Sequence, residues 1–347
     1  MAEILALGIT HYPPLSGRDE HMSRILKAML KNPNLPVSLR EPEGWPVGMR
    51  EEWGGDEGAT SARKHRETLV SNFRRVRAEL DAFNPDLVLI WGDDQHENFK
   101  DDIVPPYCIC AHPSFEFHPR NVDNIWDEPI EKVFKLDGHQ KAGKFLAKGL
   151  IEAGFDAAYS YRPLHHPLGH AFSNAIFYLD YDRNGFPYPI LPVTVNSYGR
   201  KVIAQRGSQP RFDRTLSEED LDPPAPSPSR LFDMGGETAR ILSSSPWRVA
   251  VLASSGWSHA FLTEKNNLLY PDRESDRKLY EALSVGDYQT WRDYPASAIE
   301  ECGQQELLNW SCLVGALNTL DRKPRETEFI DTWIFNSSKV FLIAPPV

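Results

Sequence analysis

The sequence predicts an α/β protein. Its layered α/β/α fold should surround a central, largely parallel or mixed sheet, with the active site at the carboxyl ends of strands. Three observations lead there. Short apolar runs, some continuous enough for burial on both faces, alternate with segments of helical periodicity. Four of the runs end in polar loops, at His11, at Asp93 to His96, at Asn196, and at Ser254 to His259. Ligands of open α/β sheets bind beyond the carboxyl ends of strands, so chemistry is expected in those loops.

The elements follow in order. Ile4 to Ile9 is a short apolar run closed by Tyr12-Pro13-Pro14, hence a buried strand opening into a loop. From Leu15 to Leu30, Met22, Ile25, Leu26 and Met29 share a helical face. Residues Asn32 to Trp53, rich in Pro and Gly, read as loop. Leu69, Phe73, Val76, Leu80 and Phe83 form one stripe of a long helix that Asn84-Pro85 ends. Asp86 to Trp91 is a strand, as is Tyr107 to Ala111. Asp137 to Ala153 is helical, with Phe145, Leu146 and Leu150 inward, and Arg162 to His170 is a His/Pro loop. Pro189 to Asn196 is a strand. A helix at Phe232 to Leu242 leads to the strand Arg248 to Ala253. Helices at Arg273 to Leu283 and Gln304 to Leu320 precede a closing strand, Lys339 to Ile343. A single domain over 1–347 is expected, with a Pro/Ser-rich insertion loop at 207–229.

Composition narrows the function. Lys plus Arg is 38 and Asp plus Glu is 49, a formal charge of −11 with no basic block, which argues against nucleic acid or an anionic membrane as partner. No run approaches the roughly 18 apolar residues of a membrane span. The start lacks a signal-peptide pattern, so the cytoplasm is the expected location. The four cysteines are too few for a disulfide scaffold, and Cys108-Ile109-Cys110 is not a C-x-x-C pair. Neither phosphate-cradling glycine motif is present, which disfavours nucleotide binding, and no G-x-S-x-G elbow marks a serine hydrolase. In His165-His166-Pro167-Leu168-Gly169-His170 two histidines stand four apart, but Pro167 and Gly169 oppose a metal-gripping helix there. Spacing alone gives a soluble α/β protein with a candidate His/Glu site.

Several separated segments add a resemblance. They are Gly8-Ile9-Thr10-His11-Tyr12-Pro13, Asp93-Asp94-Gln95-His96-Glu97-Asn98-Phe99, Gly169-His170-Ala171-Phe172 with Ile190 to Asn196, Ser255-Gly256-Trp257-Ser258-His259, Arg273-Glu274-Ser275-Asp276, and Glu306-Leu307-Leu308-Asn309-Trp310 through Gly315-Ala316. In this order they resemble the catalytic subunit of class III extradiol ring-cleavage dioxygenases, which open protocatechuate, gallate and related catechols. The resemblance implies an Fe(II) cofactor held by His11, His96 and Glu274, with His170 as acid/base and His259, Asn196 and Ser258 in the substrate pocket. Two His and one carboxylate on one face of Fe(II) leave positions for a catechol and dioxygen. In the second loop a gapless match puts Gln95 where the family carries its His, so Gln95, His96 and Glu97 all stand as candidates. Asp272 and Asp276 flank Glu274 in the same way. The expected partners are a small aromatic substrate and dioxygen, in a homo-oligomer with or without a small accessory subunit. Two other classes remain open: a non-catalytic relative that binds a partner in the same cleft, and a zinc-type hydrolase or lyase.

Overall fold

The computed structural model describes residues 2–207, 212 and 216–346. Ten strands occur among them: β1 (Ile4–Ile9), β2 (Leu87–Asp93), β3 (Tyr107–Cys110), β4 (Ser114–Phe117), β5 (Phe134–Asp137), β6 (Ala158–Ser160), β7 (Ile190–Val195), β8 (Val249–Ser254), β9 (Glu326–Ile330) and β10 (Lys339–Ala344). Eight form one mixed sheet in the order β6-β3-β7-β2-β8-β1-β10-β9, and β4 pairs with β5 separately. The four central strands, β7, β2, β8 and β1, are mutually parallel. Antiparallel β3 and β10 flank them. The expected layered fold with a mixed sheet is what forms.

Strand alternation sorts the core into two layers. Leu5, Leu7 and Ile9, with Val88, Ile90 and Leu252, pack against Leu69, Phe73, Val76 and Leu80 of the helix Ala59–Phe83 and against Phe172 and Ile176 of the helix His170–Leu179. Ile4 and Ala6, with Leu87, Leu89, Trp91 and Val251, face the other way. They meet the helices Gln140–Glu152, Pro228–Ser243 and Leu307–Thr319. Helix Leu307–Thr319 lies close to Pro228–Ser243 because Gly315 has no side chain: a Cβ there would sit 1.9 Å from the carbonyl oxygen of Phe232.

Several elements depart from the sequence reading. The segment Leu15 to Leu30 holds only a six-residue helix, Arg24–Met29, after two short 3₁₀ turns. A helix, Val47–Trp53, ends the supposed loop of residues 32 to 53. Helix His170–Leu179 begins where the His/Pro loop stops, entirely buried and so without the polar face that periodicity detects. Edge strand Glu326–Ile330, half-exposed and charged, also lacks an apolar run. Of the supposed insertion, 208–211 and 213–215 lie outside the described residues; the rest includes the 3₁₀ turn Glu218–Asp220, and its end opens the helix Pro228–Ser243.

The parallel order has one consequence for function. The carboxyl ends of β7, β2, β8 and β1 sit side by side, so the four polar loops picked from the sequence line one edge of the sheet.

Candidate metal centre

At that edge, His11, Asp93, His170 and Glu306 are all buried, and each offers a ligand atom within 4.8 Å of the others. His11 follows β1. Its Nε2 lies 3.5 Å from Glu306 Oε2 and 3.8 Å from Asp93 Oδ1. Its Nδ1 is 3.1 Å from Ser254 Oγ, and that hydroxyl donates to the Ala171 carbonyl, which fixes the ring. Asn174 donates to the His11 carbonyl at 3.2 Å. The strand can approach here because Gly8 is bare: a Cβ would sit 2.2 Å from the ring of Trp310.

Asp93 is the last residue of β2, two residues beyond the apolar run. Its Oδ1 accepts from Asn309 Nδ2 at 3.3 Å, and its buried Oδ2 has no hydrogen-bond partner. Glu306 caps the helix Leu307–Thr319. Its Oε1 is 3.2 Å from His259 Nε2 and accepts from the Tyr198 hydroxyl, while Oε2 accepts from the Gly256 N–H at 2.9 Å. His170 opens the helix His170–Leu179. Glu97 accepts from both its backbone N–H (2.9 Å) and its Nδ1 (2.8 Å), and Arg120 holds the other Glu97 oxygen at 2.7 Å. The His11 and His170 rings meet edge to face, 4.9 Å apart.

Burial and charge set the protonation states. Burial pulls His11 down to about 4 despite Glu306, so its ring is neutral at pH 7 and keeps a lone pair for a ligand. Burial would raise Glu306, but the imidazoles of His259 and His11 hold it well below the usual carboxyl range. Asp93 is pushed well above that range by burial and then by Glu306. Burial alone would lower His170, yet Glu97 and then Asp93 lift it to about 9. Glu97 stays below its ordinary range because His170 and Arg120 outweigh its burial.

This donor set fits a divalent cation. Two buried carboxylates and a neutral imidazole converge on one point. Burial and then Glu306 force Asp93 toward protonation, and its Oδ2 lacks a hydrogen-bond partner. Oxygen and nitrogen donors without thiolate suit iron, manganese or zinc.

The implied triad His11, His96 and Glu274 is not assembled. Asp94 explains His96: its carboxylate gathers the N–H groups of Glu97 (3.0 Å), Asn98 (2.9 Å) and Phe99 (3.2 Å) into a tight loop. His96 takes up the turn at φ 57° and its ring goes to Asp101 at 3.1 Å. Gln95 bonds the Gly207 carbonyl at 2.7 Å, and Glu97 faces His170. Glu274 is exposed on the first turn of the helix Arg273–Val285. Its neighbour Asp276 is buried but bonds the Ser258 hydroxyl at 2.6 Å, which turns Ser258 away from the cluster. Asp272 caps the same helix. Asn196 accepts from the Gly199 N–H at 3.2 Å and lies outside the cluster, whereas His259 touches it through Glu306.

Sequence reasoning passed over Asp93 and Glu306 as ligands, although both stood in quoted segments. Each carried a signal: an acid ending an otherwise apolar strand, and an acid opening a helix that is apolar all round. Acids are almost never fully buried unless paired or bound.

Comparison with known proteins finds relatives named as dioxygenases. No family model matches the chain. It is 28% identical over 191 residues to a 2,3-dihydroxyphenylpropionate/2,3-dihydroxicinnamic acid 1,2-dioxygenase of Pseudomonas putida, covering 54% of this chain and 47% of the relative. The namesake enzyme of Paraburkholderia xenovorans (strain LB400) is 28% identical over 186 residues, 53% and 46% of the two chains. That of Rhodococcus rhodochrous is 29% identical over 203 residues, 58% and 52%. The chain therefore spans about half the length of the curated relatives it matches.

Proposed function

We propose that this protein is a non-haem Fe(II)-dependent dioxygenase that cleaves a catechol-type ring outside the diol. The observation that carries it is the buried cluster of His11, Asp93, Glu306 and His170, on a chain whose relatives are named as dioxygenases of 2,3-dihydroxyphenyl acids. Cleavage between ring carbons 1 and 2 of a 2,3-diol breaks the bond beside the two hydroxylated carbons rather than between them.

We assign the metal to His11, Asp93 and Glu306. Iron held there would supply a Lewis-acidic, redox-active centre for the diol and dioxygen. The protein's own groups supply the rest. Glu97, anchored by Arg120, fixes the His170 ring through Nδ1 and leaves Nε2 facing the cluster, 3.8 Å from Asp93 Oδ2. Lifted to about 9 in the metal-free site, His170 is protonated at neutral pH and so stands as a proton donor to the reacting oxygen; a cation held by Asp93 would lower it toward the range in which it also takes a diol proton. Ser254 and Asn174 hold His11, and Tyr198 and His259 hold Glu306, so the ligands are preorganised. All four cluster residues are at most 5% exposed, which keeps bulk water from the reacting atoms.

The test is oxygen uptake by protein loaded anaerobically with Fe(II), offered 2,3-dihydroxyphenylpropionate, protocatechuate, gallate, 3-O-methylgallate and simple catechols. Uptake matched by a yellow ring-opened product is expected with at least one diol. Stoichiometric iron with no uptake on any diol would overturn the activity. Activity with zinc and no need for oxygen would replace it with a hydrolase or lyase.

A further inference from the structure

A second group of metal-binding side chains stands on β3, which β7 separates from β2 and Asp93. Cys108 and Cys110 belong to that strand, and His112 follows it. A spacing of two sets all three on one face of an extended chain. They meet at the hydroxyl of Ser160 on the neighbouring strand β6. His112 Nε2 is 2.9 Å from Ser160 Oγ, and Cys108 Sγ is 3.9 Å from it. Cys110 is the register partner of Ser160 and bonds the same hydroxyl. The two thiols are also bonded to each other. His112 is buried, and its second ring nitrogen, Nδ1, has no hydrogen-bond partner.

This donor set differs in kind from the first. The cluster at His11 offers imidazole and carboxylate only, whereas here two free thiols stand beside an imidazole. Cys108 lies below the ordinary thiol range, chiefly because Cys110 bonds to it, and Cys110 is pushed well above that range by the same bond and then by burial. A cation that replaces both protons relieves that imbalance. Thiolate with imidazole suits zinc, and iron(II), lower in the affinity order, is left to the first site. Access is open. Ser160 is only half-buried, β6 is the terminal strand of the sheet, and rotating the Ser160 hydroxyl aside clears the point that the three donors surround.

We propose that Cys108, Cys110 and His112 form a second metal site, for a thiophilic divalent cation of the zinc type. Such an ion would tie β6 to β3 and so anchor the start of the segment 161–169 that leads to His170.

The probe is cobalt(II), titrated into the reduced, metal-stripped full chain. Cobalt on thiolate gives charge-transfer absorption in the near ultraviolet, which a site of histidine and carboxylates does not give, so the two sites are read apart. The band is expected to grow to an end point, to vanish when zinc is added, and to survive in Asp93→Asn, which touches the first site alone. It should be missing from the double variant Cys108→Ser, Cys110→Ser, and His112→Ala should weaken cobalt by about tenfold or more. No band at saturating cobalt would overturn the proposal. So would a band that persists in the folded double variant, or unchanged cobalt affinity in His112→Ala. If the double variant does not fold, Cys302→Ser with Cys312→Ser decides, because it leaves Cys108 and Cys110 as the chain's only thiols. The band must then remain, and its loss overturns the proposal.

Discussion

Asp93→Asn should make the metal-free protein more stable and abolish its response to metal. Asp93 is fully buried and shares the cluster with Glu306, their ligand atoms within 4.8 Å. Burial and then Glu306 push Asp93 toward protonation, so folding the metal-free chain at pH 7 costs the uptake of a proton, and asparagine, which needs none, should stabilise the metal-free fold by about 1–3 kcal/mol. Asparagine keeps the carbonyl that accepts from Asn309, and its amide takes the place of the unpartnered Oδ2. Metal reverses the order. Ligand at 100 times its Kd stabilises the wild type by about 2.7 kcal/mol, and a hundredfold loss of affinity leaves about 0.4 kcal/mol at the same concentration. At roughly 2 °C per kcal/mol for a chain of this size, anaerobic Fe(II) should raise the wild-type Tm by about 5 °C and the variant's by under about 1 °C. Scanning calorimetry of metal-stripped and reloaded protein reads both. A metal-free variant that melts below wild type and keeps the full metal shift would refute both the charge crowding and the ligand assignment.

The other tests follow from the same geometry. His170→Gln should leave iron content unchanged while turnover falls by roughly a hundredfold or more; loss of iron instead would make His170 a ligand. His96→Ala and Glu274→Ala should each keep iron stoichiometry, measured by metal analysis, because neither side chain reaches the cluster, and the exposed Glu274→Ala should change stability by no more than about 0.5 kcal/mol. Gly8→Ala drives a methyl to 2.2 Å from Trp310 and should cost about 1–3 kcal/mol, read by denaturant unfolding. In the metal-free protein His170 is raised from 6.5 to about 9, so its stabilising charge is fully present below pH 6.5 and is lost as pH rises through 9. Melting temperatures from pH 6 to 10 should show that decline, and Glu97→Gln should flatten it.

Much of the fold was legible because it rests on local pattern. The runs at Ile4–Ile9, Leu87–Asp93, Ile190–Val195 and Val249–Ser254 are apolar enough to announce buried strands, and the polar residues after them mark the functional edge. His11 was picked out for that reason, whereas His170 came from the family resemblance. Helix His170–Leu179 was not, because burial on every side removes the polar stripe.

Within the site, the sequence by itself determined which loops carry the chemistry, and what side chains each offers. Only the tertiary structure decided which of them meet. In the second loop the sequence put His96 first, with Gln95 and Glu97 as the other candidates, and passed over Asp93. Strand β2 runs on to deliver Asp93, Asp94 is used up on three backbone N–H groups, and the turn at His96 sends its ring to Asp101 while placing Glu97 on His170. Between Glu274 and Glu306 the choice was made by helix packing. One helix turns Glu274 to solvent, whereas the other, drawn in against Pro228–Ser243, points Glu306 at His11. A ligand set is a matter of distances between residues far apart in the chain, and a few ångströms of loop closure or helix approach fix those distances without leaving a mark in local composition.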